Sequence, residues 1–252
     1  IVRTCKTSPS AKKIVSILHG AGVAGLCPGY CAQMIAEGAI SGIYTFDKYK
    51  SDKKENTIKE FIIAEIDKDK FQKAKKGVEK GIIVAEAVNR ARNLINESSQ
   101  YLYPETLAEY AVQNSGVKTT VYNKEQIKEM GMNAFLAVGQ GSVHEPKFIH
   151  MKYKPKNAKK KIAIVGKGIT FDAGGLDIKP PSSMLTMRDD MSGAAAVIST
   201  IRAISELNPD VEVHAIVAAC ENMPSGSAYK PGDVIIAKTG RSIEIDNTDA
   251  EG

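Results

Sequence analysis

Residues Lys161–Gly175 read KIAIVGKGITFDAGG. Five residues, Lys161–Val165, form a short apolar run rich in β-branched side chains, which is the pattern of a buried strand. The run delivers Gly166-Lys167-Gly168 at its C-terminal end, where ligands of open α/β sheets collect. A phosphate loop is excluded, because Lys161 stands where that motif needs its first glycine and Lys167 is followed by glycine rather than Ser or Thr. A dinucleotide fingerprint is excluded as well, since Thr170-Phe171-Asp172 continues the chain where a helix should start.

Working outward, Phe148–Tyr153, Lys118–Tyr122 and the strongly apolar Val211–Ala219 read as further strands, and Val234–Ala237 and Ser242–Ile245 as two more. Helical patterns separate them. Pro104 opens a helix with its apolar body over Thr106–Val112, Lys124–Met130 is a second with Gly131 as a left-handed stop, and Ser192–Leu207 is an Ala-rich third. Alternation of strand and helix predicts α/β architecture with a mixed or mostly parallel sheet. Upstream, Lys13–Leu18 and Glu60–Ile66 read as buried strands, Cys31–Glu37 as a helix and Gly42–Lys50 as an edge strand. Asp69–Asn96 is one long helical stretch, with Ala74, Val78, Ile82, Ala85, Val88 or Asn89, and Arg92 stepping by three or four; Gly77 and Gly81 weaken its first half. The expected organisation is a small N-terminal α/β domain (1–67), a connector helix (68–97) and a mixed-sheet α/β catalytic domain (98–252).

The 252 residues are 43% hydrophobic and 25% charged, so ample core is available. No apolar run approaches the roughly 18 residues of a membrane span. The net charge of +5 sits in lysine clusters such as Lys73–Lys76 and Lys154–Lys161, without interleaved aromatics, so a solvated surface is favoured over a nucleic-acid face. Cys5, Cys27, Cys31 and Cys220 lack zinc-finger spacing and read as packing positions in a reducing, cytoplasmic setting. His19, His144, His150 and His214 are scattered, with His214 expected in the core, and no G-x-S-x-G elbow supports serine chemistry. The sequence starts without Met and stops inside a motif, so it is expected to be part of a longer protein.

Four carboxylates stand among small residues at strand ends or a helix mouth: Asp172 before Ala173-Gly174-Gly175, Asp190 before the Ala-rich helix, and Asp249 and Glu251 flanking Ala250. Taken singly each has a plain alternative: a turn for Asp172, a helix N-cap for Asp190, a solvated acidic turn for Asp249 and Glu251. Lys167 alone reads as a loop lysine and Lys179 as a surface lysine before Pro180-Pro181. Together they predict a metal centre, because ionised carboxylates gathered in apolar surroundings need compensating positive charge. Hard oxygen donors suit Mg, Mn or Zn.

The stretches ARNLINESSQYLYPETLA, AFLAVGQGS, GKGITFDAGG, MRDDMSGAAA, CENMPSG and NTDAEG (Asn247–Gly252) resemble the leucine aminopeptidases of the cytosol aminopeptidase family, from about Ile82 to Gly252. The resemblance implies a dinuclear exopeptidase that releases N-terminal residues from peptides. Two divalent ions, zinc or manganese with magnesium or cobalt as alternatives, would be held by Lys167, Asp172, Asp190, Asp249 and Glu251, with Asp172 and Glu251 bridging. Lys179 would polarise the scissile carbonyl, and Met187 and Asn247 would line the substrate pocket and the metal surround. Lys167 would ligate as a neutral amine; a lysine pKa near 10.4 must then fall by ~3 units, about 4 kcal/mol, which metal charge can supply. The resemblance further implies a cytoplasmic homo-hexamer, and DNA binding as an alternative role. The arginine that holds a bicarbonate base in the family follows the final glycine and lies beyond this sequence, so residues 1–252 alone are expected to be poorly active or inactive. Asp177 and Ala173 stand where Ser is commoner, and Pro224 implies a rigid turn.

Overall fold

The computed structural model describes residues 2–6, 10–53 and 55–252. The chain divides into two compact units, with the boundary between Asn89 and Arg90.

In the first unit, helix α1 (Val2–Lys6) precedes strand β1 (Lys13–Ile17), helix α2 (Pro28–Ile43) and strand β2 (Glu60–Ala64). β1 and β2 pair in parallel, with Lys13 opposite Glu60 and Ile17 opposite Ala64. The two strands were expected to be buried. Only one face is covered, by Leu18, Cys31, Ala32 and Ala74, while Val15 and Ile17 are about two-thirds exposed. The edge strand expected over Gly42–Lys50 does not form. The apolar spacing Ala32, Ala36, Ala39, Ile43 carries α2 forward to Ile43, and 44–50 is coil and turn. An alternating pattern without a partner strand has no hydrogen bonds to hold it extended.

Helix α3 (Lys68–Asn96) runs through the boundary, so the helix read as a separate connector contributes residues to both units. Its two glycines are contact positions. A Cβ at Gly77 would lie 1.9 Å from the Gly29 carbonyl oxygen of α2, and one at Gly81 would lie 2.6 Å from the Gln33 carbonyl oxygen. Helix propensity disfavours glycine by about 1 kcal/mol. The close crossing of α2 and α3 outweighs it, because any larger residue would force the backbones apart.

The second unit is built on a four-stranded mixed sheet in the order β3 (Lys118–Tyr122), β4 (Lys147–Tyr153), β6 (Val211–Asn222), β5 (Lys160–Asp172). β3 with β4 and β4 with β6 are antiparallel, and β5 with β6 is parallel. Helices α4 (Pro104–Asn114) and α8 (Ser192–Leu207) cover one face, where Leu107, Ile149, Met151, Ile198, Ile201 and Val217 form the core. Leu94 at the end of α3 joins that core. Helix α5 (Lys124–Glu129) begins with a reciprocal cap between Asn123 and Gln126, and Gly131 follows it at φ +71°. Helix α6 (Asn133–Gly139), short helix α7 (Pro181–Met184) and the hairpin β7 (Val234–Ile236) with β8 (Ser242–Glu244) complete the unit. On the open face of the sheet His214 is half-buried rather than in the core, hydrogen-bonded to His150 at 2.8 Å and to Glu212 at 2.9 Å. Among the described residues no helix is long and apolar enough to cross a membrane.

β5 does not stop at Val165. It runs seven residues further because Gly166, Lys167, Gly168 and Ile169 pair with Val217 to Cys220 of β6. Cross-strand pairing with an apolar neighbour overrides the poor strand propensity of the glycines. Lys167 is therefore a strand residue and not a loop residue.

Gly77→Ala tests the helix crossing. The clash exceeds the 0.5–1 kcal/mol that alanine contributes in a helix, so we expect a net loss of about 1–3 kcal/mol, read as a lower urea midpoint for the first unit. A midpoint at or above that of the parent protein would show that α2 and α3 do not approach this closely.

Candidate metal centre

Four segments distant in sequence converge at the C-terminal ends of β5 and β6. β5 carries Lys167 and Asp172. The loop 173–179 ends on Lys179. A single 3-10 turn, Met187–Asp189, leads to Asp190 at the mouth of α8, and the segment after β8 supplies Asn247, Asp249 and Glu251. The approach of α8 to β5 depends on glycine: a Cβ at Gly166 would sit 2.4 Å from the Gly193 carbonyl oxygen. This contact brings Asp190 beside Lys167.

The charges pair in two sets. The Lys167 ammonium lies 2.5 Å from Glu251 Oε1 and 3.1 Å from Asp190 Oδ2. The Lys179 ammonium lies 3.0 Å from Asp172 Oδ2 and also contacts Asp249 Oδ1. Oxygens of Asp172, Asp249 and Glu251 lie within 4.8 Å of one another. Asp172 is nearly fully buried, and its Oδ1 accepts hydrogen bonds from the Gly174 N–H at 2.9 Å and the Asn222 amide at 3.0 Å. Four carboxylates thus face two ammonium groups, which leaves an excess of negative charge in a largely desolvated place.

The plain reading of Asp190 as a helix cap is corrected. Asp190 does not cap α8; Met191 occupies that position without a side-chain cap bond, and the Asp190 carboxylate turns to Lys167 instead. Asp249 lies on a turn in which its N–H donates to Asn247 Oδ1 at 2.6 Å, and Glu251 follows in coil.

Titration behaviour follows from this crowding. Burial pushes the Asp190 carboxyl up to about 6; the pull of Lys167 opposes that, and the negative charges of Asp172 and Glu251 add to it. Burial disfavours the charge on Lys167 and on Lys179, yet hydrogen bonds donated by the first to Glu251 and Asp190, and by the second to Asp249 and Asp172, hold both above the usual lysine range.

The donor set fits divalent cations. Glu251 Oε2 is buried and has no hydrogen-bond partner, which is costly for a carboxylate oxygen unless a cation meets it. The Glu251 carboxylate stands beside oxygens of Asp172 and Asp249, and its other oxygen, Oε1, meets the amine of Lys167, an oxygen-rich set with one nitrogen donor. A cavity of about 530 Å³ opens next to it, with apolar walls that include Phe135, Val165, Ile169 and Ile243 and a polar end at Lys167 and Asn247. Met187 stands outside this lining, in the turn before Asp190.

Reading the sequence missed the residues that join these segments. Asn222 donates to Asp172 Oδ1 and, at 2.8 Å, to the Thr248 carbonyl, which also accepts from the Tyr229 hydroxyl at 2.7 Å. Thr248 is completely buried. Both Asn222 and Thr248 sit inside motifs read from the sequence, but their partners are 19 to 74 positions away, so no local signal exposes them.

Comparison with known proteins identifies the family. The profile of the cytosol aminopeptidase family, catalytic domain, matches residues 89–252. A probable cytosol aminopeptidase of Aquifex aeolicus is 54% identical over 224 residues, covering 86% of this chain and 44% of the relative. Its counterpart in Persephonella marina is 51% identical over 225 residues, covering 88% of this chain and 45% of the relative. The chain thus spans about half the length of the curated relatives it matches. Among solved structures, the bottromycin maturation enzyme BotP in complex with Mn superimposes with a TM-score of 0.86 at 32% identity, over all of this chain and 54% of that one.

Asp190 offers a pH test in the metal-free protein. Its folded-state pKa lies above its unfolded value, so its contribution favours the fold below about 4 and is lost as pH rises to about 6. We expect Asp190→Asn to gain thermal stability relative to wild type as pH rises across that window, with no gain at pH 4. A difference independent of pH would contradict the burial of this carboxyl.

Proposed function

Because the chain belongs to the cytosol aminopeptidase family, we propose that the protein containing it is a two-metal aminopeptidase that releases amino-terminal residues, leucine among them, from peptides. The observation that carries this reading is the buried, unpartnered Glu251 oxygen set against Asp172, Asp249 and Lys167.

Lys167, Asp172, Asp190, Asp249 and Glu251 would hold the pair, Lys167 through its amine and the others through carboxylate oxygens. Zinc or manganese suits this mixed set, with magnesium or cobalt as weaker candidates. Such a pair supplies Lewis acidity toward the substrate and a more acidic water. Lys167 has to shed its proton to ligate, so ions compete with Glu251 and Asp190 for it and loading releases protons. Lys179 has the opposite duty. Its two carboxylate neighbours favour the ammonium form, which allows it to donate to the scissile carbonyl oxygen and to stabilise the negative charge that develops there. The apolar cavity beside Lys167 is suited to a hydrophobic side chain, and Asn247 lies at its polar end. Assembly as a cytoplasmic homo-hexamer belongs to the same proposal.

Hydrolysis of leucine p-nitroanilide by the full-length protein, with manganese or zinc, tests this. Lys179→Ala should lower kcat by about 100- to 1,000-fold with metal content unchanged, whereas Asp172→Ala should lose bound metal. Equal metal content in the two variants, or a fully loaded wild type that leaves the substrate intact, would defeat the assignment.

A further inference from the structure

Asp177 is the acidic residue that the metal centre does not use. It lies in the loop between Asp172 and Lys179, and its own contacts are with Thr248. The Asp177 N–H donates to Thr248 Oγ1 at 2.9 Å, and the Thr248 N–H donates back to Asp177 Oδ2 at 2.7 Å. The Thr248 hydroxyl in turn donates to the Gly174 carbonyl at 2.7 Å, with Asp177 Oδ2 also 3.0 Å away. This is a reciprocal clasp between two backbone segments 71 positions apart, closed around a threonine that is completely buried.

Its position is what matters. One side of the clasp carries Asp172 and Lys179, which flank Asp177 by five and two positions. The other carries Asp249 and Glu251, one and three positions beyond Thr248. Asn222 extends the same link by joining Asp172 Oδ1 to the Thr248 carbonyl. The three carboxylates repel one another, and the lysines that now hold them together have to give them up when cations arrive. Bonds made by Asp177 and Thr248 involve none of the candidate ligand atoms, so they persist through that exchange.

Resting on the two-metal reading, we propose that Asp177 is a positioning residue: its clasp on Thr248 sets the spacing of the Asp172 and Lys179 side against the Asp249 and Glu251 side, and thereby sets the affinity of the centre for its second cation. An aspartate suits this task where a shorter side chain would not, because its carboxylate reaches across to a backbone N–H while its own N–H is engaged. Placing another negative charge here is tolerated because the Thr248 N–H donates to it at 2.7 Å.

Titration of the full-length, metal-free protein with Mn²⁺ by calorimetry tests the clasp without reference to turnover. Asp177→Ala is expected to leave the first binding event within about threefold and to weaken the second by about 10- to 100-fold, the usual effect of losing a group that orients ligands. Asp177→Asn keeps an oxygen acceptor for the Thr248 N–H and should recover most of that affinity. In the hydrolysis assay at saturating Mn²⁺, the alanine variant should regain its kcat, which a general loss of folding would not permit. Two unchanged Mn²⁺ affinities in Asp177→Ala would overturn the proposal, as would an asparagine variant no better than alanine. A wild-type protein that binds fewer than two Mn²⁺ would instead remove the two-metal reading on which it rests.

Discussion

The second unit is organised by the need to neutralise carboxylates that the fold forces together. Asp172, Asp190, Asp249 and Glu251 come from segments up to 79 positions apart and meet where water is largely excluded. Removing such charges from water costs several kcal/mol each unless an opposite charge replaces the lost hydration. In the metal-free arrangement Lys167 and Lys179 fill that role, each bridging two carboxylates. The compensation is incomplete, and Glu251 Oε2 shows where it fails. A site that is stable but short of positive charge is predisposed to take up cations.

The same arrangement explains the division of roles between two chemically identical side chains. Lys167 projects from the extended part of β5, beside the cavity, with both its partners placed to become ligands. Lys179 closes a loop whose backbone is tied back by its own N–H to the Ala173 carbonyl at 3.0 Å. One amine is held by a strand that cannot move without breaking its ladder; the other sits on a loop anchored at both ends. Under the proposed assignment, the rigid sheet would provide ligand placement and the loop would provide reach toward a bound peptide.

How much of this was legible in the sequence differs between levels. Strands with continuous apolar character, such as Val211–Ala219, and helices with strong caps, such as α5 behind Asn123, were readable because their signals are local. Lys13–Ile17 was found as a strand, but its exposure was not foreseen, since burial depends on what covers a face. Gly42–Lys50 misled because alternation describes an edge strand equally well with or without a neighbour. The extension of β5 through Gly166-Lys167-Gly168 ran against local propensity and was decided by β6. Gly77 and Gly81 looked like flaws in a helix and turned out to be its contact surface.

By itself the sequence determined the alternation of strands and helices, the apolar faces that make the core, and the identity of the acidic and basic groups available for chemistry, because hydrophobic periodicity and motif residues are written along the chain. Only the tertiary structure decided which charges become neighbours, which carboxylate oxygen stays without a partner, and that Asp177 clasps Thr248 rather than joining the other acids. Those outcomes depend on distances between segments far apart in the chain, and such distances are set by packing rather than by local preference.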